Sequence, residues 1–258
     1  MIENLTFHQC IVFFIGFARI ATIVATVPIF GYYGVPVIVK AGFSFFITWV
    51  LYPLIDNGTF TIPVDFLPFV LMVMKEVFIG LIIGLASNFL FIGLQMSGEL
   101  IGIDMGFGIV NIIDPMSGEQ VSLMSQFQYI VAILLFIILN GHHFLLNALW
   151  SSFVAVPLGS AHLSGLITAQ IARISADIFK IALQIGAPAI VVLFMTSFVM
   201  GIIARTVPQM NIFIVGFPLK ISVGLAMVWV SLPLFGYVFE KLFDNFQESI
   251  VGIIQVMR

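Results

Sequence analysis

Side chains able to do chemistry are scarce in this chain, and their spacing decides what they can do. His142 and His143 invite a metal or proton-relay reading. Neighbouring helix positions point about 100° apart, so an adjacent pair does not converge on one ion, and no carboxylate lies within twenty residues of the pair. The sequence holds no HExxH zinc motif, P-loop, dinucleotide-binding GxGxxG or Ser/His/Asp grouping. An energy-coupled ATPase is therefore excluded for this chain, no catalytic residue, metal or cofactor is expected, and the histidines following Asn140-Gly141 are read as structural or interfacial. Cys10 is the only cysteine, which rules out an intrachain disulfide and a cysteine metal cage.

The charges inside apolar runs carry more information. Arg19 sits in the middle of the first apolar stretch, and Lys75-Glu76 interrupts a later one. A charge at the bilayer centre costs roughly 3 kcal/mol on insertion scales, so such residues turn to protein or water. Adjacent helix residues make a poor mutual salt bridge, so Lys75 and Glu76 each need another partner, unless 66–76 lies at the interface and both are solvated. Glu99 and Asp104, five apart, are either paired acids lining a path or residues of a helix end outside the hydrocarbon.

Residues 104–118 read Asp-Met-Gly-Phe-Gly-Ile-Val-Asn-Ile-Ile-Asp-Pro-Met-Ser-Gly. Gly106, Gly108 and Pro115 make a regular helix unfavourable, while Phe107, Ile109, Val110, Ile112 and Ile113 are too apolar for a solvated loop. Irregular backbone at membrane depth has to be buried in protein or line a cavity, and hydrophobic constrictions gate pores by excluding water. One reading is a plug or constriction formed by 106–115, flanked by Met105 and Met116; the other is a packed connector with no gating role. A second irregular stretch runs from Arg205 to Lys220. Pro208 and Pro218 punctuate it, and Gln209 and Asn211 are polar. It is read as a loop over 206–219, either a plain connection or a hairpin tip at an entrance.

These residues need elements to hold them, and composition says which. Of 258 residues 61% are apolar and 8% charged, with a net charge of −3, against about 25% charged in soluble domains. Mean hydropathy is +1.21. A soluble enzyme is excluded and an all-α polytopic membrane protein expected. The lack of a basic stripe argues against nucleic acid. The N-terminus lacks a basic segment, so the first apolar stretch is expected to stay in the mature protein. Uncharged gaps mark spans at 20–39, 41–55, 77–98, 181–204 and 221–239, with room for two crossings in 120–172. About six or seven helical segments follow. Pro28, Pro36, Pro53, Pro157, Pro188 and Pro233 should kink or end them. Gly80 and Gly84, and Gly98, Gly102 and Gly106, are spaced for close helix approach, serving either ordinary intrachain packing or a multi-chain assembly. The basic residues Arg205 and Lys220 put 206–219 on the cytoplasmic side, and the acidic 56–65 segment on the other. No repeat or linker is visible, so 1–258 reads as one unit.

Taken in order, Lys75-Glu76 with Gly80 and Gly84, Met105-Gly106-Phe107 with Asp114-Pro115, Asn140-Gly141-His142-His143, Ala187-Pro188, and Arg205-x-x-Pro208-Gln209-x-Asn211 followed by Gly216-Phe217-Pro218-Leu-Lys220 resemble the FliR family. The resemblance runs from Arg19 to Lys220. It implies an inner-membrane component of the bacterial flagellar basal body and its type III export apparatus. It implies one such chain joining several FliP and FliQ chains in a helical export gate, a FliP-like part over about 1–170 and a FliQ-like hairpin over about 171–258. FlhB and FlhA would be neighbours, lipid a further contact, and unfolded flagellar subunits the cargo. The family's plug would correspond to about 106–118, and its cytoplasmic entrance to Arg205, Pro208, Gln209, Asn211, Phe217, Pro218 and Lys220. Rival readings are the homologous subunit of a virulence injectisome, a proton-coupled transporter or intramembrane enzyme, and a scaffold without a gate.

Overall fold

The computed structural model describes residues 7–31, 34–55, 63, 65–107, 122–160, 165–209 and 211–257. Among the described residues there are helices and turns only. α1 is Phe7–Thr26, α2 Val37–Ile55, α3 Phe66–Met105, α4 Leu123–Ile138, α5 Gly141–Ala155, α6 Gly165–Thr206 and α7 Ile212–Val256. Five of them are long and apolar enough to cross a membrane, or six spans if α4 and α5 count together as one broken span. At 1.5 Å per residue, α3, α6 and α7 rise about 60–67 Å, twice the roughly 30 Å of bilayer hydrocarbon.

Several boundaries differ from those read off the uncharged gaps. The gap 20–39 is not one span: α1 stops at Thr26 and α2 starts at Val37. Pro28 and Pro36 disfavour helix at the residues before them. A Cβ on Gly31 would lie 2.7 Å from the Val27 carbonyl oxygen, so the turn requires glycine. Lys40, which had marked a span boundary, reaches back from α2 and donates from Nζ to the Gly31 carbonyl at 2.8 Å. The room for two crossings in 120–172 is filled by α4 and α5, of 16 and 15 residues, each about 24 Å long or less and too short alone. They part at Asn140, whose φ of 57° is left-handed, a conformation Asn tolerates better than most residues. The loop expected over 206–219 is confined to 207–211, because Asn211 starts α7: its carbonyl accepts the N–H groups of Ile214 and Val215. Phe217, Pro218 and Lys220 are helical. Pro188 and Pro233 lie inside α6 and α7 without ending them; each removes one donor, which a long helix in a packed setting tolerates.

The chain divides into two compact, discontinuous units. Unit 1 holds α1, α2, α3 up to Phe89, α5, α6 up to Ser175 and α7 from Asn245. Its α1 and α2 meet through aromatic rings: Phe13 lies 5.0 Å from Phe45 and 6.5 Å from Trp49 between centroids, both edge-on, the arrangement ring quadrupoles favour. Unit 2 holds the rest of α3, α4, the remainder of α6 and α7 up to Asp244. Its core includes Phe91, 5.4 Å from Phe136, and Phe136, 5.3 Å from Phe243.

Candidate functional site

Two places collect the residues singled out above. The first is in unit 1 and is built on Arg19 of α1 and Glu76 of α3, both fully buried. Arg19 donates from Nε to Glu76 Oε2 at 2.6 Å, with Nη2 at 2.5 Å from the same oxygen. Nη1 donates to the carbonyls of Ser152 and Val156 at 3.0 and 2.9 Å. These lie at the end of α5, at the negative end of the helix dipole; the Ser152 carbonyl also accepts the Val156 N–H at 3.0 Å. The guanidinium also stacks 4.4 Å from the Phe153 ring centroid, a cation–π contact. The second Glu76 oxygen accepts the Gly159 N–H at 3.0 Å, which the positive φ of Gly159, 74°, turns toward it. A buried ion pair depends on partners for its leftover hydrogen-bonding groups; here Nε has Glu76, Nη1 has Ser152 and Val156, and the two Glu76 oxygens have Arg19 and Gly159, while Nη2 has the ion pair alone. Lys75, next in sequence, points outward and is exposed.

Gly80 and Gly84 sit on the same helix one and two turns further. A Cβ on Gly80 would lie 2.7 Å from the Arg19 carbonyl oxygen, and one on Gly84 2.6 Å from Thr26 Cβ. Asn88, a turn on, donates to the Thr26 carbonyl at 3.1 Å. In unit 2 a Cβ on Gly98 would lie 2.6 Å from the Met124 carbonyl oxygen, and Gly102 faces the Ser122 side chain. Ser125 donates to the Gln95 carbonyl at 3.0 Å. All four glycines therefore serve close packing within this chain.

The second place is the C-terminal end of α3, in unit 2. Gly106 has φ 94°; its N–H reaches the Ile103 carbonyl and the Phe107 N–H the Gly102 carbonyl, each at 3.0 Å. That pair of bonds closes a Schellman cap, which satisfies carbonyls that a helix end would leave bare. Met105 is fully buried in an apolar cluster with Ile101, Met124, Ala189, Leu193 and Val228, and Phe107 packs against it. Of the residues proposed as a plug, Ile109, Val110, Ile112, Ile113, Asp114, Pro115 and Met116 lie outside the described residues. The other irregular stretch supplies one neighbour to this end: Phe217 lies against Gly106. Arg205 occupies the last turn of α6, where a cation complements the helix dipole; Pro208, Gln209 and Asn211 are exposed in the connection, and Lys220 is half-buried in α7.

Glu99 and Asp104 are half-buried near the end of α3. His142 and His143 lie with ring centroids 4.2 Å apart. Among the described residues no three His, Cys, Asp or Glu side chains come together to hold a metal. Sequence reasoning missed Ser152, Phe153, Val156 and Gly159 around Arg19, and Gly224 against Met105. Only Gly159, a glycine after Pro157-Leu158, carried a local signal.

Residues 10–246 match the family described as Bacterial export proteins, family 1. Flagellar biosynthetic protein FliR of Bacillus subtilis (strain 168) is 34% identical over 248 residues, 95% of each chain. Its counterpart from Pectobacterium carotovorum subsp. carotovorum is 30% identical over 242 residues, 94% of this chain and 92% of its own, and that of Escherichia coli (strain K12) 28% over 236 residues, 92% and 90%. With buried Arg19 and Glu76, the glycine-packed α3 and the capped Met105-Gly106-Phe107 end all inside the matched region, the chain belongs to family 1 of the bacterial export proteins, the family of the FliR flagellar biosynthetic proteins.

Proposed function

We propose that this chain is a non-enzymatic subunit of the flagellar type III export gate in the bacterial inner membrane. It joins several FliP and FliQ chains as a single copy, with FlhB and FlhA on the cytoplasmic side, and unfolded flagellar subunits pass through the assembly. The observation that carries the reading is the near full-length match to relatives named flagellar biosynthetic protein FliR. Residues 1–170 form the FliP-like part and 171–258 the FliQ-like part; two long helices joined by only 207–211 suit the latter.

Residues 106–118 act as the plug. Two features support this: the stretch is apolar yet broken by glycine and proline, and its first residues leave α3 from an apolar cluster and not from an exposed helix end. Deleting the gene should abolish swimming, with restoration from a plasmid copy. Deleting 107–113 should leave the complex assembled but leaking ions. A deletion strain that swims normally would overturn the export role, and a tight deletion complex would overturn the plug.

A further inference from the structure

The end of α3 and the first half of α7 are joined by a reciprocal fit. Each helix offers a glycine to a large side chain of the other. Met105 of α3 lies against Gly224 of α7, where an added Cβ would sit 2.6 Å from Met105 Cγ, 2.8 Å from Sδ and 2.9 Å from Cε. Phe217 of α7 lies against Gly106 of α3, where an added Cβ would sit 2.6 and 2.7 Å from two ring carbons. Gly106 is doubly constrained, since its φ of 94° already excludes most side chains. Phe217, Ile221, Gly224 and Val228 follow a 4-3-4 spacing, which puts them on one face of α7. Val228 belongs to the Met105 cluster and Ile221 packs against it. Moving α7 by one turn would set Lys220 or Val228 against Met105 in place of glycine, so no neighbouring register offers the same hole.

We propose that Phe217 is a positioning residue for the α3 cap, and that α7 over 217–228 and α3 over 101–107 move as one body. A displacement at the 207–211 connection is then carried along α7 to Phe107, the residue from which the plug departs. Interlocked side chains on rigid helices transmit displacement in this way. The inference rests on the plug reading above.

The test uses the full chain in its assembled complex, in cells, with Cys10→Ser as background. The pair Met105→Cys and Gly224→Cys is oxidised to a cross-link, and secretion of flagellar subunits is compared before and after reduction. Parts that move together tolerate being tied, so the expected result is efficient cross-linking with unchanged secretion. Failure to cross-link, or secretion blocked by oxidation and restored by reduction, overturns the proposal, because the two parts would then separate during opening. Phe217→Ala supplies a second readout. It should leak ions as the 107–113 deletion does, with normal co-purification of partner chains, and Phe217→Leu should restore tightness. A tight Phe217→Ala complex beside a leaking deletion complex defeats this inference alone. Tightness in both defeats the plug reading as well.

Discussion

Removing one half of the Arg19–Glu76 pair is the sharpest perturbation this fold offers. Glu76→Ala leaves a guanidinium fully enclosed, with the Ser152 and Val156 carbonyls and the Phe153 ring but no counter-charge. Breaking a buried pair from one side costs about 3–5 kcal/mol, and the Gly159 N–H loses its acceptor besides. At roughly 2–4 °C per kcal/mol for a chain of this size, the melting point should fall by at least about 6 °C. Arg19→Met should do comparable damage from the other side. The double variant Arg19→Met with Glu76→Leu removes both charges together. It orphans the Val156 carbonyl and the Gly159 N–H, while the Ser152 carbonyl keeps the Val156 N–H at 3.0 Å. Two orphans at about 1–3 kcal/mol each give about 2–6 kcal/mol, less than the roughly 6–10 kcal/mol sum of the single losses. Thermal unfolding of the detergent-extracted chain, with membrane abundance alongside, reads all three. Strict additivity, or a Glu76→Ala chain that melts with the wild type, would refute the energetic role given to the pair.

Lys75→Ala, one residue away but exposed, should change stability by no more than about 0.5 kcal/mol, so the same melting assay separates the two neighbours. Gly98→Leu should force α3 off α4, because the obstacle is Ser125 and Met124 backbone and not a flexible side chain; a loss of about 1–3 kcal/mol or more is expected, seen as lower membrane abundance. Gly42→Ala, with nothing within 4 Å of the new Cβ, should be neutral or stabilise α2 by up to about 1 kcal/mol in the same assay. Gly159→Ala should cost about 1–2 kcal/mol from its positive φ and should cost markedly less once Glu76 is already alanine.

Arg19 and Glu76 show how far the sequence could be read. Each was recognisable as a charge needing shelter, but they lie 57 residues apart and nothing local names the partner. The α3 end was easier, because a glycine after the last apolar turn is a common helix stop and Gly106 stands there. Helix boundaries near Val27 and Pro218 were misread because uncharged gaps record composition, whereas helix ends depend on turns and caps. Proline carried two outcomes under one expectation: Pro28 and Pro36 frame the turn where α1 ends and α2 begins, while Pro188 and Pro233 sit inside helices that continue past them. The expected number of helical segments survived because it rests on total apolar length, which composition fixes.

The great length of α3 has a consequence for how the chain is made. On α7 the exposed apolar side chains run from Ile214 to Tyr237 and then give way to exposed Glu240, Lys241, Asp244 and Glu248, whereas on α3 they extend from Phe66 to Ile103, about 56 Å of rise. Tilting by about 40°, the steep end of what membrane helices adopt, still leaves about 43 Å along the bilayer normal. More than 10 Å of oily flank on α3 therefore has no lipid to meet. On the export-gate proposal above, a newly inserted copy holds that strip against water until another chain covers it, which calls for synthesis of this chain and arrival of its companions close together in time.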